Sequence, residues 1–171
     1  EPVTILLLEY LDPDDTTDAL QLLPQNRQKA LLSKINEEVQ KDIELLLQFD
    51  PRTAAGIMSL NYTQIEADRN LREVSEKIQT HEKRTGKIPL VLVMEEGKLH
   101  GYVPLPRLIY GSPDDKVKGF TKKINIIRHN TSSKDVMNHF LDNPHESVVV
   151  LGDDDAILGV VYADDIIRIG Y

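Results

Sequence analysis

The back of this chain is written twice. Pro89–Ile109 (PLVLVMEEGKLHGYVPLPRLI) lies over Ser147–Ile167 (SVVVLGDDDAILGVVYADDII) at a constant offset of 58. Val91 then falls on Val149, Val93 on Leu151, Gly101 on Gly159 and Val103 on Val161. The acidic turn Glu95-Glu96-Gly97 falls on Asp153-Asp154-Asp155. Each copy reads strand, acidic turn, strand, helix. Upstream, Thr63–Ile78 matches Asn125–Phe140 at an offset of 62, each a short strand, a polar turn and an amphipathic helix. The first copy therefore carries about four extra residues, assigned to His81–Lys87. Gly101 and Gly159 each precede the final strand and helix, where close backbone packing is expected. Neither copy is long enough to make a good core alone, so the two are expected to bury their sheet faces against each other.

The front reads differently. Short helices run to a joint at Phe49–Ser59, where Pro51 starts the stretch and Gly56 is read as the flexible point. Val3–Leu11 is apolar nearly all round and too short to span a membrane, which fits a buried helix. Asp12 suits an N-cap, Pro13 the first helical position, and Asp14 and Asp15 the first turn of the next helix. Leu20, Leu22 and Leu23 supply its apolar surface. Pro24 opens a helix with Ala30, Leu31, Leu32 and Ile35 inward, and Asn36 caps another in which Val39, Ile43, Leu46 and Leu47 share a face. Asp14 and Asp18 stand four apart and project from one face. A bound cation would relieve their repulsion, and so would capping with solvation.

Composition removes several functions. The 171 residues carry a formal net charge of -8, and an acidic surface repels phosphates, so nucleic acid is not an expected partner. With no cysteine there is no disulfide, thiolate nucleophile or zinc–thiolate site. No apolar run approaches a membrane span. The chain begins with Glu1 and not Met, and is expected to be a piece of something longer. None of the histidines 81, 100, 129, 139 and 145 pairs with another at a metal spacing, and no glycine loop cradles a phosphate, so no catalytic role is expected. Thr131, Ser132 and Ser133 look like helix caps, Met58 and Met137 like core residues, and the acidic turns like solvated hairpin tips.

Strand–helix–strand–turn–strand–helix, with V-x-D/E-x-x-x-L-x-G-x-V before the closing helix, resembles a CBS repeat, and two repeats make the usual pair. Leu8–Pro24 (LEYLDPDDTTDALQLLP) and Glu44–Ile65 (ELLLQFDPRTAAGIMSLNYTQI) resemble the cytosolic region of MgtE-type magnesium transporters, where a helical N domain runs into a CBS pair. The resemblance covers essentially the whole chain. It implies an α/β (α+β) fold: a small all-α segment over 1–55, then a tandem CBS pair with repeats at 56–117 and 118–171. It also implies that magnesium bridges carboxylates of the two parts, with Asp14 and Asp18 matching the N-domain pair and Asp165 matching the second aspartate of the closing D-D segment. Oxygen-only donors suit a hard, hydrated ion, and Asp15 and Asp164 could act through water. Other acidic positions of the family fall here on Ser132, Lys134, Pro144 and Arg168, which points to fewer ions or lower cooperativity.

The implied function is regulatory: a homodimer through its CBS pairs, on the cytoplasmic side of the membrane, coupled to a transmembrane transport domain of the same polypeptide. Magnesium would favour a compact, closed state. Two other readings compete. One is an adenine-nucleotide module, although the Gly-x-x-Ser/Thr-x-x-Asp element reads Gly101…Pro104…Arg107 in the first copy and Gly159…Tyr162…Asp165 in the second. The other is a plain dimerisation scaffold.

Overall fold

A computed structural model describes residues 21–22, 24–32 and 37–169. Their elements are α1 (Gln25–Leu32), α2 (Glu37–Leu47), α3 (Ala54–Ile57), β1 (Tyr62–Glu66), α4 (Leu71–Thr85), β2 (Leu90–Glu95) and β3 (Lys98–Tyr102). Two 3-10 turns follow (Leu105–Tyr110, Val117–Phe120), then β4 (Asn125–Arg128), α5 (Ser133–Asp142), β5 (Ser147–Leu151), β6 (Ile157–Tyr162) and α6 (Ala163–Ile169). Helices and two small sheets make an α+β fold, and the repeat is plain in it. The sheets are ordered β1-β2-β3 and β4-β5-β6. Both hairpins slip register near their tips, at Val93/Met94 and at Val150/Leu151.

The described residues form two compact units. One is Asn61–Asn125; the other joins the residues up to Leu60 with those from Ile126 onward. Strand exchange explains the second grouping. Ser59, just before β1, bridges Val160 on β6, while Lys122, just before β4, bridges Tyr102 on β3. Each repeat's leading segment thus edges the other repeat's sheet. The exchange sets the two glycines: a Cβ on Gly101 would lie 2.2 Å from the Lys122 carbonyl oxygen, and one on Gly159 would lie 2.8 Å from that of Ser59. The close backbone packing expected at these glycines is this contact.

Each unit has its own apolar cluster. In the first repeat Leu71 and Val74 of α4 meet Val91 and Val93 of β2, with Ile65, Val103 and Val117. In the second, Val136 and Phe140 of α5 meet Val148 and Val150 of β5 and Ile166 of α6. Leu46 of α2 and Ala54, Ala55 and Met58 at the joint complete that second cluster. Met137 packs half-buried at its margin.

Several expectations change in detail. Gly56 is not a flexible point: a Cβ there would sit 1.9 Å from the Asp50 carbonyl oxygen, so glycine is required for close packing. Backbone bonds fix the joint to the loop before α5, with Ala54 N–H donating to Thr131 O (2.7 Å), Ala55 N–H to His129 O (3.1 Å) and Ser133 N–H to Arg52 O (2.8 Å). The first copy closes in a 3-10 turn instead of an α-helix, with Pro104 at its cap position and Pro106 in its first turn, where no intrahelical amide donor is needed. The extra residues of the first copy lengthen α4, which runs to Thr85 and ends on Gly86 in the left-handed region (φ 75°). Leu22 is 86% exposed and contributes no core. The cap expected before α5 is Ser132, whose hydroxyl accepts from Asp135 N–H at 3.1 Å.

Candidate functional site

Asp165 stands in the first turn of α6, directly after β6. Ala163 and Ile166 are the buried side of that turn; Asp164 is exposed and Asp165 half-buried. The Ala163 amide donates to Glu146 O at 3.1 Å, tying the helix start to the loop before β5. A carboxylate there is favoured by the helix dipole and can still reach solvent, as a ligand of a hydrated dication needs. Asp12, Pro13, Asp14, Asp15 and Asp18 lie outside the described residues, as does Asn36. Of the three expected metal ligands the structure therefore places one. Among the described residues no three His, Asp or Glu side chains converge on a point that could hold a metal.

The acidic turns are built into ion pairs. Glu95 accepts from Lys118 Nζ at 2.7 Å and lies 3.4 Å from His100 Nδ1. The Lys118 ammonium holds the Glu95 carboxyl below its ordinary pKa. Asp153 meets His129 Nε2 at 2.8 Å, and Asp155, held at φ 62°, meets Arg128. Lys118 and Arg128 each bring a cation to one of these tips. At the joint, Arg52 chelates Asp50, and the hydrogen bond lowers the pKa of that carboxyl.

At the equivalents of the nucleotide element, Pro104 starts the first copy's 3-10 turn with no side-chain cap, and Arg107 lies within that turn. Tyr162 ends β6. No serine or threonine hydroxyl occupies either copy's phosphate position.

Sequence reasoning missed a cavity of about 500 Å³ in the first repeat, lined by Tyr62 and Thr63 of β1 and by Glu73, Glu76, Lys77, Thr80, His81 and Arg84 of α4. The α4 residues recur at helical spacing beside the buried Val74 and His81 and the half-buried Ile78. That periodicity was legible. That the strand expected at Thr63 would lie against this polar stripe was not.

Two family models match the chain. Residues 4–52 match the MgtE intracellular N domain, and residues 117–170 match the CBS domain. The chain joins an MgtE N domain to a CBS region. The two matches leave 53–116 uncovered. The crystal structure of the soluble part of a magnesium transporter superimposes with a TM-score of 0.81 at 25% identity, over 95% of this chain and 64% of that one. The cytosolic domain of the Mg2+ channel MgtE in complex with ATP gives 0.86 at 23% identity, over 99% of this chain and 71% of that one. The CBS domain of a bacterial CNNM/CorC family Mg2+ transporter gives 0.57 at 15% identity, over 85% and 94%. No curated protein sequence matches. The chain spans 64% of the length of the first of these structures.

Proposed function

We propose that this chain is the cytosolic regulatory region of an MgtE-type magnesium transporter, and that it responds to magnesium. The observation that carries the reading is the succession, in one chain, of an MgtE intracellular N domain and a CBS region. Asp14 and Asp18 fall inside the first match and Asp165 inside the second, so the three carboxylates divide between the parts that a bridging ion would join. The organisation proposed is a helical part over 1–55 and CBS repeats over 56–117 and 118–171. It would act as a homodimer on the cytoplasmic side of the membrane, joined to a transmembrane domain that gates on the compact state. It has no catalytic role.

The physics of such a switch is simple. Carboxylates on two parts repel when no counter-ion is present. They attract through a shared dication, which keeps several of its waters. The ion favours the compact state only by binding it better than the open one. Asp165 supplies a half-buried oxygen donor at a helix start, and Asp14 and Asp18 would supply the other side of the bridge.

Isothermal titration with magnesium tests the reading. Saturable binding by the wild type, weakened at least about tenfold in Asp165→Asn and in Asp14→Asn/Asp18→Asn, is expected. Unchanged affinity in Asp165→Asn would remove the bridging site. Magnesium-independent thermal protection by ATP would instead favour the nucleotide module. That reading draws on the ATP-bound relative and is disfavoured by Pro104 and Tyr162.

A further inference from the structure

The cavity between β1 and α4 is not used by the magnesium reading. Its walls exclude most ligand classes. Glu73, Glu76, Lys77 and Arg84 line it together along one helix, so a polyanion and a bare dication each meet like charge. Every lining side chain carries a polar group that a ligand could meet. Glu73 is 3.7 Å from Arg69; Glu76 and Lys77 make no ion pair among the described residues.

A second observation points to a ligand. His81 lines this cavity although it is only 6% exposed, and it is one of two buried polar side chains among the described residues. The Asn61 amide nitrogen donates to Ile88 O at 3.1 Å, which turns its oxygen to His81 Nε2 at 2.7 Å. An amide oxygen only accepts, so Nε2 carries the proton and Nδ1 is the acceptor. Nδ1 has no hydrogen-bond partner among the described residues. Burial, then the nearby Arg84 charge, holds the ring's pKa below its ordinary value and keeps it neutral. An N–H or O–H group of a bound ligand would satisfy that acceptor.

We propose that this cavity binds a small zwitterion of the amino-acid class, its ammonium toward Glu73 and Glu76 and its carboxylate toward Lys77 and Arg84. His81 Nδ1 accepts from a donor on the ligand, and the hydroxyls of Thr63, Thr80 and Tyr62 complete the polar wall. A volume of about 500 Å³ admits an amino acid together with its side chain. The site lies wholly in the first repeat and stands or falls independently of Asp14, Asp18 and Asp165. In a regulatory region it would add a metabolite signal to an ionic one.

Each proteinogenic L-amino acid is titrated into nitrogen-15-labelled protein, with acetate and methylammonium as single-charge controls. At least one amino acid is expected to shift the Thr63, Lys77 and His81 amide signals saturably, while neither control does. Glu76→Gln and Lys77→Ala, both at exposed positions, should each weaken binding at least about tenfold without moving the ligand-free melting temperature. The proposal is overturned if no amino acid produces these shifts. It is equally overturned if acetate saturates the same signals, which would mark a simple anion site, or if binding survives in both variants.

Discussion

Replacing Gly56 with alanine separates two accounts of the joint, because they predict opposite signs. The residue lies in α3 and is not left-handed, so a flexible hinge there should gain about 0.5–1 kcal/mol from alanine through a less disordered unfolded chain. The packed geometry says otherwise. The new Cβ would lie 1.9 Å from the Asp50 carbonyl oxygen and 2.6 Å from Pro51 Cα, all of it backbone. Restoring ordinary contact means opening the turn by roughly 1.5 Å. That same carbonyl accepts from the Thr53 amide at 3.0 Å and from the Thr53 hydroxyl at 2.7 Å. Two lost bonds cost about 1 kcal/mol each, and forced repacking adds about 1–3 kcal/mol. Against roughly 1 kcal/mol of helix propensity gained, the net loss is about 2–4 kcal/mol. For a chain of this size the melting temperature should fall by roughly 5–15 °C. Urea denaturation gives the free energy, and amide exchange at Ala54 and Ala55, which donate to Thr131 and His129, should accelerate with it. A variant as stable as the wild type, or more so, would refute the packed joint.

Phe140→Ala, at a fully buried position where the joint, α5 and β5 meet, should cost about 3–5 kcal/mol in the same denaturation measurement. His81 should make stability fall with acidity. Its native pKa is depressed, so the unfolded chain takes up a proton first, and stability is full above about pH 6.5. It is lost as the pH falls from there through the native value, and His81→Gln should flatten that part of the urea-midpoint profile. Ser132→Ala should remove the hydroxyl cap on Asp135 N–H and cost about 1 kcal/mol by thermal unfolding.

The repeat was legible because its signals are local: continuous apolar runs on β2 and β5, acidic turns, and glycines at one offset. Asp165 was placed at a helix start by the same alignment, and it lies there. What escaped was non-local. The leading segments at Ser59 and Lys122 cross to the other repeat's sheet, and no pattern within either segment announces its partner. Leu46 was expected on a helix face, but nothing local says that the face meets Val136 and Phe140 some ninety residues later. Gly56 was misread because glycine serves both freedom and close approach, and only the Asp50 carbonyl distinguishes them. The cavity beside α4 needs the β1 edge opposite a polar stripe that, alone, reads as a solvated helix face.

Small-angle scattering on the chain, in chelator and then across a magnesium titration, tests the central claim most directly. The account predicts a radius of gyration that falls and saturates, that monovalent salt of equal ionic strength does not reproduce, and that Asp165→Asn abolishes. A radius unchanged by magnesium, or compaction that survives in Asp165→Asn, would contradict it.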